Sequence, residues 1–376
     1  MRSPLQHSPI QVWSVDDTSA QLTWGHLPAG PVTAWAADCH ASVCHRAGPG
    51  SLVVDGLNPD TQYQMNLTWS GGSTSLSLRT LRTPPGPLLA KIATVSDLHI
   101  GARRWGASKL MVDTSGHPVP PPTRCARAAI TEAIEWGAEL LIIKGDAVHH
   151  QDASHFSQLG DLLDEFPQLP MILLPGNHDV DQSSQDPVPT HIGNRKLSYV
   201  SHAETYDIDG ITVIGANTTM PGRGRGTVGP IAESVCELTS SSSQPTFVAL
   251  HHQLQLRPIP THYPLGVPRA ESRPFLKALA KANPQTLVSS GHTHRNRRQS
   301  HGTMITSEVA ATRDWPGVWA GYSVHSGGIS QLVRRVSAPD AIVWHEYSRR
   351  ALFGIWGSWS SGPIDQRCFS HRWDGD

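Results

Sequence analysis

The sequence predicts two domains, an all-β sandwich followed by a layered α/β domain. Three observations support this: the chain has 376 residues, turn residues are abundant, and the hydrophobic pattern changes once along the chain. One hydrophobic core rarely organises more than about 300 residues, so two units are expected. The 33 glycines and 30 prolines favour many short strands and loops over a helical bundle.

The first predicted domain covers residues 1–86. Short segments of alternating hydrophobicity separated by turn residues are typical of a β-sandwich, and no helical pattern interrupts them. The predicted strands span residues 10–14, 20–24, 32–37, 51–54, 62–69 and 74–81.

A proline-rich stretch at residues 83–87 separates the two patterns. It can neither complete a backbone ladder nor continue a helix, so the second domain is expected over residues 87–376. Strand-like and helical segments then alternate, which indicates helices that cover a sheet. Strands are predicted over 91–96, 140–144, 170–174, 211–215, 246–250 and 286–289, and helices over 127–136, 156–166 and 275–282. From about residue 337 we expect strands and loops that close the second layer.

Composition and charge argue against several classes of protein. Lys and Arg total 30 and Asp and Glu total 31, so no bulk positive field would attract nucleic acid. Apolar runs such as residues 140–143 are too short to cross a bilayer, and no membrane span is expected. The amino terminus lacks the apolar segment of a secretory signal, and the five cysteines are scattered, so a cytoplasmic protein is expected.

Side chains that can bind metals follow five of the predicted strands. Open α/β sheets place their ligands at the carboxyl ends of the strands, so these side chains are expected to lie close together. Two pairs are spaced i, i+2, which directs both members of each pair to one spot. The seven candidates are Asp97, His99, Asp146, Asn177, His251, His292 and His294.

Seven donors exceed the four or five that a single ion takes from a protein, so two ions are expected. Carboxylate, amide and imidazole donors suit divalent or trivalent transition metals, and the candidates are Mn, Fe and Zn. One carboxylate must then bridge, and Asp146 is suited to this because Gly145 lets the backbone approach closely. The surplus positive charge would attract a phosphate and acidify a bridging water.

The seven candidates lie in five short sequence blocks, one after each strand. The blocks and their order over residues 91–330 resemble the calcineurin-like metallophosphoesterase superfamily. They read Asp97-Leu98-His99, Gly145-Asp146, Gly176-Asn177-His178-Asp179, His251-His252 and Gly291-His292-Thr293-His294. The resemblance implies an α/β/β/α sandwich. It also implies that Asp97, His99, Asp146 and His294 hold the first metal, and Asp146, Asn177, His251 and His292 the second.

The same resemblance gives His178 and Asp179 catalytic roles. His178 would face the substrate, where it stabilises phosphoryl oxygens or protonates the leaving group, and Asp179 would orient the His178 ring. The sequence departs from the family at His149, where many members have a carboxylate or an asparagine. No proline follows His252, so the choice between His251 and His252 as a ligand stays open.

Residues 217–226 resemble the active-site loop of the cyclic-nucleotide-phosphodiesterase-like branch. Arg223 and Arg225 in this loop are candidates to bind a substrate phosphate, with solvated side chains as the alternative. Purple-acid-phosphatase relatives often carry a similar leading sandwich, but the tyrosine iron ligand expected after Asp146 is absent at residues 147–149. The phosphodiesterase-like branch is therefore favoured.

The first domain resembles a fibronectin type III domain, an immunoglobulin-like sandwich. Residues 57–63 are similar to the turn into a late strand of that family, whose tyrosine, here Tyr63, closes a corner; Trp24 is similar to its core tryptophan. Another small all-β sandwich is the alternative. Such a domain is a candidate docking module for a protein or polymer partner.

These expectations describe a hydrolase of small phosphoesters, in particular phosphodiesters. A hydroxide that bridges the two metals would attack phosphorus in line. The alternative is a binding or scaffold protein that retains its metals without turnover. The intact His178 and the complete ligand set favour the enzyme.

Overall fold

The computed structural model describes residues 10–106, 111–180, 197–258 and 263–374. An all-β unit comes first and an α/β unit follows, so the predicted fold class is confirmed. The last strand of the first unit ends at Arg79 and the next strand begins at Leu88, on either side of the proline-rich stretch. The division into two domains at residue 86 stays a prediction.

Seven strands form the first unit, a sandwich of two antiparallel sheets. They are β1 (Gln11–Val15), β2 (Ser19–Leu27), β3 (Gly30–Ala36), β4 (Cys39–His45), β5 (Gly48–Asp55), β6 (Gln62–Trp69) and β7 (Gly72–Arg79). The sheet orders are β1-β2-β5 and β4-β3-β6-β7. Trp24 is buried in the core between them, and the Tyr63 hydroxyl accepts a hydrogen bond from the Asn58 N–H at 2.8 Å. The closer assignment to fibronectin type III stays a prediction.

The second unit contains two mixed sheets. The first has the order β13-β12-β11-β8-β20-β21-β22 and the second β14-β15-β16-β17-β19-β18, while β9 and β10 form a short ribbon. The strands of the first sheet are β8 (Leu88–Val95), β11 (Leu140–Lys144), β12 (Met171–Leu174), β13 (Leu197–Tyr199), β20 (Val318–His325), β21 (Gly328–Arg335) and β22 (Phe369–Arg372). Those of the second are β14 (Ala203–Ile208), β15 (Ile211–Ala216), β16 (Thr246–Ala249), β17 (Thr286–Ser290), β18 (Arg297–His301) and β19 (Met304–Glu308); the ribbon is β9 (Arg104–Trp105) and β10 (Met111–Val112).

Helices cover the outer face of each sheet. Helices α1 (Pro121–Trp136), α2 (Ala153–Leu163) and α5 (Pro339–Ser348) pack on the first sheet, and α3 (Ala232–Ser241) and α4 (Arg269–Ala282) pack on the second. In β11, Leu141 and Ile143 face the helices while Leu140 and Ile142 face the second sheet. Since strand residues alternate between faces, the central strands are buried on both sides. The layers are α/β/β/α.

The carboxyl-terminal stretch differs from the prediction of strands and loops. After α5 come a 3-10 turn (Ala351–Gly354) and two further helices, α6 (Ile355–Ser361) and α7 (Ile364–Arg367), and only β22 adds to a sheet. Pro339 begins α5, where the first turn needs no proline N–H, and Ala341, Ile342 and Trp344 are buried. Among the described residues, every helix is too short or too polar to cross a bilayer.

Candidate metal centre

The seven predicted ligand residues lie where parallel strands end. Strands β8, β11 and β12 run parallel in the first sheet, and β16 and β17 run parallel in the second, so their carboxyl ends share one rim. Asp97 and His99 follow β8, Asp146 follows β11 and Asn177 follows β12, while His251 follows β16 and the pair His292 and His294 follows β17. The structure therefore brings all seven together.

Five of these seven residues adopt a left-handed backbone conformation. A side-chain-bearing residue in this region costs about 1–2 kcal/mol and persists only where its surroundings fix it. The five φ values are 55° for Asp97, 48° for His99, 49° for Asp146, 68° for His292 and 51° for His294.

One group of donors surrounds Asp97. Its Oδ1 lies 3.4 Å from the Nε2 of His294. Ligand atoms of Asp97, His99 and His294 all lie within 4.8 Å of one another. Asp97 is fully buried, and its Oδ2 accepts hydrogen bonds from the Ser96 hydroxyl at 2.5 Å and from the His292 N–H at 3.0 Å. The carboxylate is thereby held with Oδ1 toward the histidines.

A second group surrounds His251. The Nε2 of His251 lies 3.3 Å from the Oδ1 of Asn177 and 3.2 Å from the Nδ1 of His292. Asp146 lies between the two groups. Its Oδ1 is 3.4 Å from the His251 Nε2 and its Oδ2 is 3.7 Å from the His99 Nε2. Each oxygen of Asp146 therefore faces a different group.

Backbone and carboxylate acceptors fix the orientation of three histidine rings. The Nδ1 of His251 lies 2.8 Å from the Lys144 carbonyl oxygen, and the Nε2 of His292 lies 3.3 Å from the Leu265 carbonyl oxygen. The Nδ1 of His294 lies 2.8 Å from the Oδ2 of Asp314. In each ring the other nitrogen points toward the cluster, which is the arrangement that metal-binding histidines require.

The donor set fits cations. Asp97 Oδ1 and both ring nitrogens of His99 are buried and have no hydrogen-bond partner within the described ranges, so these polar atoms are left to a ligand. Burial lowers the pKa of His99 and of His292 well below the usual value, which keeps both rings neutral as ligands must be. Burial opposes protonation of His294, but the charges of Asp314 and Asp97 raise its pKa to about 10. The negative charges of Asp314 and Asp97 would also stabilise a metal cation bound beside them.

His251 and His252 occupy different positions. His251 faces Asp146 and Asn177, whereas the Nδ1 of His252 lies 2.9 Å from the Thr218 hydroxyl oxygen. The ring of His252 nevertheless lies 4.6 Å from that of His292. The geometry favours His251 as the ligand.

The surroundings of His178 correct the role expected for Asp179. The Nδ1 of His178 lies 2.8 Å from the His149 carbonyl oxygen, so this oxygen orients the ring. The carboxylate of Asp179 instead accepts hydrogen bonds from the backbone N–H groups of Ala147, Val148 and Gly176, at 3.2, 2.8 and 2.8 Å. Asp179 therefore ties the loop after β11 to the loop after β12. The prediction failed because adjacency in sequence did not reveal which acceptor the folded loop places beside the ring.

The two arginines of the predicted substrate loop are exposed. Arg223 and Arg225 lie on the surface, and neither side chain forms an ion pair in the part of the chain that the structure describes. The loop itself passes the metal-binding rim, since Gly226 packs against the ring of His252. The role of Arg223 and Arg225 in substrate binding stays a prediction.

Sequence reasoning missed Asp314. This residue is fully buried in the segment between β19 and β20, and it binds the ring of His294. The sequence gives little sign of it because Asp314 follows β19 by six residues and forms no pattern with the five blocks.

Gly291, between β17 and His292, leads to a testable prediction. A Cβ at this position would overlap the Ser96 hydroxyl oxygen and lie 2.9 Å from the Asp97 Oδ2. We expect Gly291→Ala to reduce the free energy of unfolding by about 1–3 kcal/mol, as overpacking does. Gly224→Ala, where a Cβ would meet nothing within 4 Å, is the control. Equal urea midpoints for the two variants would contradict this prediction.

Comparison with known proteins identifies the family of this chain. The model of the calcineurin-like phosphoesterase family matches residues 90–296, more than half of the chain. No curated protein matches the chain in sequence. A purple acid phosphatase from yellow lupin (Lupinus luteus) seeds is similar in structure at 12% identity and a TM-score of 0.47, over 86% of this chain and 71% of that one. PhoD is similar at 9% identity and a TM-score of 0.43, over 90% of this chain and 89% of its own. The chain therefore belongs to the calcineurin-like phosphoesterase family and is a metal-dependent phosphoester hydrolase.

Proposed function

We propose that the protein hydrolyses phosphodiesters with two transition-metal ions. The position of Asp146 carries this proposal. Its two carboxylate oxygens face two different groups of donors, at 3.4 Å from His251 and 3.7 Å from His99. A single ion would need only one of these groups, so the arrangement favours a pair bridged by Asp146.

The donors divide into two sets that share Asp146. The first ion would be held by Asp97, His99, Asp146 and His294, and the second by Asp146, Asn177, His251 and His292. Bound ions would supply Lewis acidity at the phosphoryl oxygens and lower the pKa of a coordinated water. Mn, Fe and Zn all suit this mixture of oxygen and imidazole donors.

His178 is the residue of this chain best suited to proton transfer. Its backbone N–H donates to the Asp146 Oδ1 at 2.8 Å, and its ring lies 4.7 Å from that of His99. Because Nδ1 faces the His149 carbonyl oxygen, it carries the proton of a neutral ring and leaves Nε2 to face the substrate. A protonated Nε2 would donate to a phosphoryl oxygen and pass its proton to the leaving group.

Two observations support a diester substrate over a monoester. The loop over residues 217–226 resembles that of the cyclic-nucleotide branch, and it packs against His252 at the rim of the site. Residues 147–149 also lack the tyrosine expected of purple acid phosphatases. Arg223 and Arg225 stand on this loop and would contact the part of the substrate beyond the reacting phosphorus.

Activity on three classes of ester tests the proposal. The purified protein is chelated, restored with Mn²⁺ and assayed on a cyclic nucleotide, bis-p-nitrophenyl phosphate and p-nitrophenyl phosphate, with metal content measured by mass spectrometry. We expect two ions per chain and a higher kcat/KM for the diesters. Two ions without turnover of any ester would favour a scaffold protein, and a higher kcat/KM for the monoester would contradict diester specificity.

Asp314 provides a prediction about metal affinity. Asp314→Asn keeps the shape of the side chain but removes the charge that holds the His294 ring, so we expect about 10- to 100-fold weaker metal binding. Competition with a chromogenic chelator measures this directly. Glu165→Gln is the control, because the Glu165 carboxylate binds Arg127 on the exposed surface between α1 and α2. Unchanged metal affinity in Asp314→Asn would contradict the orienting role.

A further inference from the structure

A buried arginine lies beside the predicted metal ligands. Arg313 precedes Asp314 in the segment between β19 and β20, and it is 6% exposed. Hydrogen bonds fix the backbone around it: the Thr312 N–H donates to the Ser96 carbonyl oxygen at 3.0 Å, and the Trp344 indole N–H donates to the Arg313 carbonyl oxygen at 2.9 Å. The guanidinium group therefore extends from a well-anchored position.

Two of the three guanidinium nitrogens of Arg313 have no hydrogen-bond acceptor among the described residues. Its Nε and Nη1 are buried, and the side chain donates to no other residue of the described ranges. The nearest carboxylate oxygen in an ion pair with it, Asp314 Oδ2, lies 3.7 Å from Nε and already binds the His294 ring at 2.8 Å. A distance of 3.7 Å is too long for a hydrogen bond. A buried cation whose donors are unsatisfied is costly, so a partner is expected.

Other buried arginines of this protein do have acceptors. Arg124 donates to the Asp113 carboxylate at 3.0 Å, Arg335 donates to the Pro316 carbonyl oxygen at 3.0 Å, and Arg367 donates to the Trp13 carbonyl oxygen at 2.8 Å. Each of these three guanidinium groups donates at least one hydrogen bond, although Arg124 Nε and Arg335 Nη2 also lack a partner among the described residues. Arg313 differs because both Nε and Nη1 lack one, and it lies beside the candidate metal centre.

The charge of the Arg313 guanidinium interacts with the predicted metal ligands. Burial lowers its pKa, and the charges of Asp314, Asp97 and Asp146 oppose this effect. In turn, after burial, Arg313 is the largest influence that lowers the pKa of His99. The charge of Arg313 therefore acts on the first donor group and on the shared carboxylate.

We propose that Arg313 binds the phosphoryl group of the substrate and forms an anion-binding position beside the metal centre. Its planar group can donate two parallel hydrogen bonds to non-bridging oxygens, which would satisfy the unpartnered donors. This inference rests on the proposed phosphoesterase function. It differs from the expectation for Arg223 and Arg225, whose exposed side chains gain less from an anion because water screens them.

Binding of inorganic phosphate tests this role without turnover. The full-length wild type, Arg313→Met, Arg313→Lys and Arg124→Met are loaded with Mn²⁺ after chelation. Calorimetry gives the phosphate Kd, mass spectrometry the metal content and thermal unfolding the Tm. We expect Arg313→Met to raise the phosphate Kd about 10- to 100-fold with its metal content unchanged. Arg313→Lys should recover part of the affinity, because it restores the charge without the planar group. Arg124→Met should lower the Tm and leave the Kd unchanged.

Several outcomes would overturn the inference. A phosphate Kd in Arg313→Met within twofold of wild type would do so, as would loss of metal that accounts for the weaker binding, since Arg313 would then only neutralise Asp314. If Arg313→Met fails to fold, the phosphate Kd of Arg313→Lys tests the inference instead. A Kd equal to that of the wild type would show that phosphate binding does not need the planar guanidinium group. A wild type that binds phosphate but cleaves no ester would overturn the proposed function and leave this inference standing.

Discussion

Asp146→Asn is expected to lower kcat by a factor on the order of 10³ to 10⁴, the scale on which loss of an essential catalytic group acts. The substitution keeps the size of the side chain and one oxygen near the His178 N–H, which donates to Oδ1 at 2.8 Å. It removes the negative charge and the second oxygen, which lies 3.7 Å from the His99 Nε2. An amide cannot bridge two cations as a carboxylate does, so we expect at least one ion to be lost.

Metal content and turnover must be measured on the same sample, with bis-p-nitrophenyl phosphate as the substrate. Asp152→Asn is the matched control. Asp152 caps α2 by accepting the Ser154 N–H at 2.8 Å, and asparagine caps a helix about as well as aspartate. The control should therefore keep both activity and metal. An Asp146→Asn variant that retains two ions and more than a tenth of the activity would show that the bridging assignment is wrong.

The sequence predicts the cluster well because the fold determines its position. Each of the five blocks follows a buried strand directly, and the carboxyl ends of parallel strands meet at one rim. A ligand that follows its strand by two to four residues has little freedom to lie elsewhere. Asp97 and His99 illustrate this, since both are within four residues of the last residue of β8. Recognition of the strand was enough to place the side chain.

Asp314 and Arg313 could not be predicted in the same way. They reach the site because β20 runs antiparallel to β8, the strand that Asp97 follows, and so brings the segment before β20 to the rim. The pairing of β20 with β8 joins residues more than 220 positions apart, and local patterns do not reveal such pairings. In addition, all eight residues of β20 are buried, so this strand lacks the alternation that identifies a strand with one exposed face.

The carboxyl-terminal helices were missed for a related reason. An amphipathic helix is predicted from an apolar stripe, but α5 buries His345 and Ser348 together with Ala341, Ile342 and Trp344, while Val343 is exposed. His345 is accommodated because its Nε2 lies 3.1 Å from the Thr312 carbonyl oxygen. Tertiary hydrogen bonds of this kind allow polar residues on a buried face, and they leave no periodic pattern in the sequence.

Trp13→Ala is expected to reduce the free energy of unfolding by about 3–5 kcal/mol, the usual cost of truncating a buried aromatic side chain. Trp13 lies in β1 of the first unit, yet its 1% exposed ring packs in the core between the two sheets of the second unit. The Cζ of Arg367 lies 4.0 Å from the ring centroid, and the ring of Trp315 meets it edge-on at 6.0 Å. Truncation would remove all of these contacts and leave a cavity.

The same junction contains buried hydrogen bonds that join the two units. The Gln21 amide donates to the Arg335 carbonyl oxygen at 2.7 Å and accepts the Arg335 N–H at 2.9 Å. Arg367 donates to the Trp13 carbonyl oxygen at 2.8 Å. Such bonds are expensive to break in a buried interface, so the units should unfold together. The first unit would then stabilise the second unit, in addition to binding any partner.

Trp35→Ala is the control for Trp13→Ala. It removes a tryptophan from the sandwich but leaves the junction between the two units intact. Trp35 lies in β3 and is 37% exposed, so we expect its truncation to cost about 1 kcal/mol or less. Urea unfolding followed by tryptophan fluorescence and by far-ultraviolet circular dichroism measures both variants. We expect one coincident transition in the wild type and a large shift only for Trp13→Ala. Because Trp13 contacts Trp315, which directly follows Asp314, the same variant should also bind metal more weakly. Similar shifts for the two tryptophan variants, or two separate transitions in the wild type, would show that the units are stable independently.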